Sequence, residues 1–351
     1  MKFDVYSTSE YFADITARIE RTGQGDTVML ATMVFFPQDA GVKQLIDALR
    51  AAARRGAQAT LLVDANNFMI QRGRHLGPLF LHDDFQARVP RAFRPAYYAL
   101  EEMKQAGVRC FITNRPAKAF SSPIAGRSHI KYGVVNERVY VGGCNLDHST
   151  NIDLMTGWDD AQSSKWLSEL ADATIASGSV KAAMQRTDAI REIAPGAELL
   201  IDAGVAGQSL IFERALHLID GARERVTLTC QFFPNDLTTQ YLLGAHRRGV
   251  KVKILYNRPS KHLFPHTVLH LGVETAAKLQ LPKSFFEHVL DPSRPYLHAK
   301  LITTERGIMI GSHNFLQAGV SLGTAEIALL SSDAGLGMRL EAAIMKEISP
   351  R

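Results

Sequence analysis

Tyr296-Leu-His-Ala-Lys-Leu-Ile-Thr-Thr-Glu-Arg-Gly-Ile-Met-Ile-Gly-Ser-His-Asn314 and its earlier echo, Ser128-His-Ile-Lys-Tyr-Gly-Val-Val-Asn-Glu-Arg-Val-Tyr-Val-Gly-Gly-Cys-Asn145, share one punctuation. Each reads as a hairpin: a strand starting at the His, a polar turn (Asn136 to Arg138, Glu305 to Gly307), a second strand and a Gly-x-x-Asn bend. Side chains two apart on a strand share a face, so His129 and Lys131 point one way, as do His298 and Lys300. The bend then returns Asn145 or Asn314 towards that face. An imidazole, an ammonium and an amide converge in each copy, a set suited to an anionic phosphoryl group. One His-x-Lys on a half-buried strand is ordinarily a solvated pair. Two copies with the same interval from His to Asn (129 to 145, 298 to 314) ask for another explanation.

Outward from the hairpins, a longer repeat emerges. Residues 11 to 63 read as a helix (Tyr11 to Arg21), an apolar strand running to Phe35-Phe36-Pro37, a helix ending Arg-Arg-Gly (Val42 to Gly56) and a strand (Ala59 to Val63). The order returns as helix Ile211 to Arg223, strand Val226 to Phe233 before Pro234, helix Thr238 to Gly249 with the same Arg-Arg-Gly end, and strand Val252 to Tyr256. Apolar residues recur at three- and four-residue spacing in the helices, and Gly56 and Gly249 fall where a left-handed cap belongs. Strand, helix, strand in each half predicts parallel pairing. The interval from Phe35 to His129 exceeds that from Phe232 to His298, which places an inserted loop at about 66–98. Its Arg, Gly, Pro and large apolar residues fit either an irregular surface excursion or a lid or interfacial loop over the site. A helix, Tyr97 to Gln105, and a strand, Arg109 to Thr113, lead into the first hairpin. Basic, aromatic loops at Arg258 to His266 and Lys278 to Phe286 precede the second. Ala161 to Ala183 reads as a connecting helix and Ile193 to Ala206 as the start of the second repeat, which divides the chain into units 1–190 and 191–351.

Composition bounds the function without choosing it. With 351 residues, 46% hydrophobic and 21% charged, the chain is an ordinary globular one. A net charge of +5 suits phosphate-bearing partners without separating nucleic acid from anionic membrane. Three scattered cysteines, Cys110, Cys144 and Cys230, form neither a disulfide framework nor a zinc pattern, and a reduced compartment follows. No apolar run approaches the ~18 to 20 residues of a spanning helix, and the N-terminus lacks a signal-peptide pattern. The expectation is a cytoplasmic chain whose membrane contact, if any, is peripheral, at the inner face.

The paired motif resembles that of the phospholipase D superfamily, which runs His-x-Lys, four residues, Asp, a short strand, Gly-Gly or Gly-Ser, x, Asn. The resemblance covers nearly the whole chain and implies an α/β fold: a phospholipase D-like duplicated unit, two mixed β-sheets flanked by helices and related by a pseudo-two-fold, with the site at the seam. It implies catalytic roles for His129, Lys131, Asn145, His298, Lys300 and Asn314. One histidine, here His129, forms a phosphohistidine, and the other, His298, serves as general acid and then base. Glu326, in Thr-Ala-Glu-Ile-Ala-Leu, matches the family's Glu-Ile-x-Leu feature and orients an imidazole; Asp153 is the counterpart in the first half. The chain departs from the pattern at the Asp, which is Asn136 in one copy and Glu305 in the other. That Asp supports the turn, where Asn is at ease. Cys144 is read as a small packing residue.

The chemistry of the residues agrees with the resemblance. A phosphodiester needs one group to attack phosphorus and another to protonate the leaving oxygen, and histidine near neutrality serves either role. Lysine and asparagine would hold the non-bridging oxygens without a metal. The expectation is a metal-independent phosphodiesterase or phosphatidyltransferase needing no cofactor, with a phospholipid substrate, as in the cardiolipin synthase and bacterial phospholipase D branch. A nuclease of the same fold, or an inactive protein binding phosphate-rich lipid or nucleic acid surfaces, are the alternatives. Two motifs in one chain make a monomer sufficient for a complete site.

Overall fold

The computed structural model describes residues 1–71, 75–76, 91–115, 125–147, 151–234, 236–258, 274–291 and 295–348. Fifteen of its strands build two large mixed sheets. In the first the order is β1 (Asp4–Ser7), β9 (Leu154–Asp159), β8 (Arg138–Gly142), β7 (Tyr132–Val135), β2 (Thr27–Thr32), β3 (Gln58–Asp64), β6 (Arg109–Thr113). In the second it is β10 (Ala189–Ala194), β11 (Ala197–Asp202), β17 (Glu326–Ser331), β16 (Gly307–Gly311), β15 (Leu301–Thr304), β12 (Arg225–Thr229), β13 (Lys251–Asn257), β14 (His288–Leu290). A small ribbon, β4 (Ile70–Gln71) with β5 (His75–Leu76), stands apart. β2 runs parallel to β3, and β12 to β13, as the strand-helix-strand order requires.

Each crossover is a helix whose apolar stripe covers its own sheet. In Ala40–Arg54 the buried residues include Val42, Leu45, Ile46, Leu49 and Ala52, at the three- and four-residue spacing of one helical face. Leu237–Arg247 presents Leu242 and Ala245 in the same way. The chain leaves both helices through a glycine of positive φ, Gly56 at 92° and Gly249 at 84°, a conformation that a Cβ would penalise. Thr8–Glu20 begins at a capping box in which the Ser7 backbone N–H donates to Glu10 at 2.9 Å.

Strand alternation sorts the core into three layers. Tyr132 and Val134 of β7, Val139 and Val141 of β8, Ile308 and Ile310 of β16, and Ile327 and Leu329 of β17 meet in one cluster between the sheets. The residues alternating with them turn outward: Val135 and Tyr140 pack under the N-terminal helices, and Met309 and Ala328 under the C-terminal ones. Both faces of these strands are buried, which is why they read as nearly continuous apolar runs.

Several local expectations are corrected. The hairpin strands begin at Tyr132 and Leu301, one residue after each Lys, because the backbone at each His is paired across the seam instead of within its own sheet. The β12 strand ends at Thr229, short of Phe233. The helix expected over Ala161 to Ala183 stops at Ser177, where Gly178 adopts a left-handed cap and the Ser179 hydroxyl accepts from Ala182 to start a short second helix, Val180–Ala183. Of the loop at about 66–98, residues 72–74 and 77–90 lie outside the described residues, and with them Arg72, Arg74 and Phe80. Phe93, expected from the sequence to join those three in the cationic and apolar mixture of a peripheral membrane-binding segment, is 1% exposed within the N-terminal core, where burial of a whole aromatic ring outweighs any surface role.

Candidate active site

The seam is closed by backbone pairing of unlike halves. His129 N–H donates to Ala325 C=O at 2.8 Å and Ala325 N–H returns to Arg127 C=O at 2.9 Å. On the other side His298 N–H donates to Ile152 C=O at 2.8 Å, and Ile152 N–H to Tyr296 C=O at 2.8 Å. Each bridge sets an acid of one half beside the imidazole of the other. His129 Nδ1 lies 3.1 Å from both oxygens of Glu326, and His298 Nδ1 lies 2.5 Å from Asp153 Oδ2. Leu154 and Ile327 occupy equivalent places, since their carbonyls accept from Gly143 and Ser312 after the two second hairpin strands. Asp153 and Glu326, one residue earlier, are therefore counterparts, exchanged between the halves. A carboxylate accepting from Nδ1–H fixes the tautomer and leaves the Nε2 lone pair for chemistry.

The lysines lie beneath. Lys131 is 0% exposed and Lys300 1%. Lys131 Nζ donates to His129 C=O at 2.6 Å, and Lys300 Nζ donates to His298 C=O. Lys300 Nζ is also 3.0 Å from His298 Nδ1, but that nitrogen's proton is committed to Asp153, so the directed bond is to the carbonyl. Burial pushes Lys131 down to about 7, helped by the Lys300 charge, against the pull of Glu326, Asp153 and Asp64. Burial likewise pushes Lys300 down to about 8, against Asp153 and Glu326. Both imidazoles fall below their ordinary value, through burial first and then through the two lysines, in spite of their carboxylates. Glu326 and Asp153 are held below the usual carboxylate range: burial opposes this, and the facing histidine together with the lysines overcomes it. Six groups of the two halves, four of them buried and the two imidazoles 12% exposed, thus act on one another, and two cations at the floor make the spot a receptor for an anion.

The lysine values set a pH dependence. A lysine lowered on folding loses its charge as pH rises through that lowered value. Sulfate, whose own charge is constant over the range, should bind at least about tenfold more weakly at pH ~9 than at pH ~6, measured as its inhibition constant against a p-nitrophenyl phosphodiester. Lysines of ordinary pKa would leave that constant flat over the same interval.

The remaining motif residues divide. Asn145 Oδ1 accepts from Val34 N–H at 3.2 Å, which turns its NH₂ elsewhere for donation, whereas Asn314 Oδ1 is buried with no partner among the described residues. Phe315, next to it, sits at φ 55°, an uncommon conformation for a bulky side chain. A Cβ on Gly143 would fall 2.1 Å from Asp153 Oδ1, so that copy requires glycine; in the other, Ser312 Oγ donates to Glu326 Oε2. Cys144 is buried, and burial first and the Asp153 charge next raise its thiol well above the ordinary value, consistent with packing rather than nucleophilic use. The two replacements of the motif Asp lie at the far end of the hairpins. Asn136 Oδ1 accepts from Thr27 N–H at 3.0 Å; Glu305 accepts from Arg223 N–H at 2.7 Å and Arg225 N–H at 3.1 Å. Both anchor the start of a central strand, a task that any side-chain acceptor of that reach performs.

Asp64 and Asn257 are functional candidates that sequence reasoning missed. They end β3 and β13 at corresponding places. Asp64 accepts from Ser128 N–H at 2.7 Å and Asn257 from Leu297 N–H at 2.9 Å, fixing the residue before each His. The available signal was their common position at the close of the strand after the Arg-Arg-Gly helix.

A family model described as "Cardiolipin synthase, PLD-like domain" matches residues 15–173 and 215–347. A sequence search of curated proteins finds no match. Among solved structures the chain is similar to phosphatidylserine synthase of Haemophilus influenzae Rd KW20, with a TM-score of 0.70, 12% identity and coverage of 99% of this chain and 86% of that one. It is similar to polyphosphate kinase of Porphyromonas gingivalis at a TM-score of 0.58 and 13% identity, covering 99% of this chain and 51% of that one. The phospholipase D family member Nuc of Salmonella typhimurium matches at a TM-score of 0.31 and 17% identity, over 46% of this chain and 93% of that one.

Proposed function

The chain belongs to the family of phospholipase D-like domains described as cardiolipin synthase, and from that premise we propose a metal-independent phosphodiesterase or phosphatidyltransferase that works on phospholipid head groups through a phosphohistidine. The observation that carries the reading is the exchange of acids: each imidazole is oriented by a buried carboxylate of the opposite half, above two buried lysines. His129 Nε2 attacks phosphorus, the P–O bond to the head-group alcohol breaks, and the departing oxygen takes the proton of His298. Water or a second alcohol then gives its proton to His298 and attacks phosphorus, and the P–N bond returns its electron pair to His129. Lys131, Lys300 and the Asn145 amide hold the non-bridging oxygens. In the free protein both imidazoles are neutral near pH 7; the arriving phosphodiester offsets the lysine charges and lets His298 take up its proton.

Among the described residues no group of three or more His, Cys, Asp or Glu side chains could hold a metal ion, and no helix is long and apolar enough to cross a membrane. Contact with lipid would be peripheral. Phosphatidylglycerol vesicles and single-stranded DNA, incubated in parallel with and without EDTA, separate the readings. Head-group release from the vesicles that survives EDTA is expected. Recovery of a chelated sample only on adding zinc or magnesium would remove metal independence, and cleavage of DNA with intact vesicles would make the protein a nuclease.

A further inference from the structure

The two histidines share a phosphorus in the reading above, but their surroundings are not alike. Beside His129 the repeat places Met33, Arg127 and Asp64; at the same places beside His298 it puts Gln231, Tyr296 and Asn257. The N-terminal set offers no polar side chain to a substrate. Met33 is apolar, and buried Arg127 is turned inward, donating through Nη1 to Asn114 C=O at 3.0 Å and through Nε to Ala125 C=O at 3.2 Å, with Asp64 at 3.9 Å. Asp64 is itself bound to Ser128, Asn66 and Asn114.

The C-terminal set is polar and neutral. Asn257 holds Leu297 through both its C=O and N–H, and its NH₂ also donates to Gln231 C=O at 3.1 Å, which ties the Gln231 backbone to the residue preceding His298. Tyr296 is two residues from His298, with its carbonyl used in the seam. The half-buried side chains of Gln231 and Tyr296 touch each other only loosely: Nε2 lies 3.4 Å from the phenol oxygen, and among the described residues neither side chain has another hydrogen bond. A carboxamide and a phenol each donate and accept, which matches a hydroxyl. Neither carries the charge that an ammonium or carboxylate would call for, and the nearby acid, Asp153, is taken by His298.

We infer that Gln231 and Tyr296 are specificity-determining residues that read a neutral, hydroxyl-bearing alcohol on the His298 side of the phosphorus, while the ester group on the His129 side is accepted without polar contacts. The inference rests on the phosphohistidine reading. An acceptor attacks opposite the P–N bond, hence beside His298: its oxygen bonds to phosphorus, the pair of the broken P–N bond returns to His129, and its proton passes to His298.

The test uses the whole chain with bis(p-nitrophenyl) phosphate as donor and equal concentrations of glycerol and propan-1-ol, with ethanolamine in a second series. The glycerol ester should exceed the propyl and ethanolamine esters in the wild type. Gln231→Met, which installs the residue of the other half, and Tyr296→Phe, which deletes one oxygen, should each lower the glycerol-to-propanol ratio about five- to tenfold, the worth of one neutral hydrogen bond. A ratio cancels any general loss of activity. Equal ratios in wild type and both variants, or hydrolysis with no glycerol ester, overturn the inference while p-nitrophenol release leaves the phosphodiester reading standing. Absence of p-nitrophenol release from the wild type would instead overturn that reading, and the inference with it.

Discussion

His129→Ala should form no covalent intermediate on any substrate and lose activity on the order of 10⁶-fold, the scale of removing a nucleophile from a covalent hydrolase. His298→Ala lacks only the proton donor and acceptor. On a phospholipid that loss is about 10²- to 10⁴-fold, the usual contribution of a general acid. On a p-nitrophenyl phosphodiester, whose leaving group departs without protonation, His298→Ala should give a burst of p-nitrophenol. It should then accumulate an acid-labile phosphoenzyme, because the base that activates water is also missing. Rapid quench at alkaline pH followed by peptide mapping reads both proteins. An adduct on His298 in the wild type would reverse the roles, and no adduct under conditions that preserve phosphohistidine would remove the covalent route.

The duplicated fold was legible because its signals are local and occur twice. Phe-Phe-Pro, Arg-Arg-Gly and the two His-to-Asn intervals each say little alone; their common order identifies strands, crossovers and glycine caps that the structure contains. Glu326 and Asp153 were legible as acids that orient an imidazole, yet not as exchanged acids. Exchange is a property of the seam, where Ala325 and Ile152 pair with the other half, and a strand that pairs across a seam has no periodicity of its own. For the same reason the hairpin strands were placed to start at the histidines. Phe93 was misplaced by composition: an arginine-rich, proline-broken stretch hides one aromatic residue that enters the core. Asp64 and Asn257 escaped notice because they act on backbone N–H groups, which leave no trace in side-chain spacing.

That exchange gives the last expected result, because it makes a lesion in one half take the form of a histidine lesion in the other. Glu326→Gln lies in the C-terminal half, but its amide would offer N–H to His129 Nδ1, move the ring proton to Nε2 and occupy the lone pair that attacks phosphorus. Asp153→Asn lies in the N-terminal half and would do the same to His298, leaving it unable to hold an imidazolium or to accept a proton from water. Each should cost on the order of 10⁴-fold, as amide-for-carboxylate replacement does where a carboxylate fixes a histidine tautomer. The size of the loss is common to both; the trapped species is not. On the p-nitrophenyl substrate Glu326→Gln should behave like His129→Ala, with neither burst nor adduct, and Asp153→Asn like His298→Ala, with both. A merely structural role for the acids would slow all steps alike and would not sort burst from no burst. The opposite sorting, an adduct in Glu326→Gln and none in Asp153→Asn, would show that each acid serves the histidine of its own half in solution. The contacts of 3.1 Å and 2.5 Å across the seam argue against that outcome, since Glu326 and Asp153, whose side chains are 4% and 3% exposed, are already seated against the other half's imidazole.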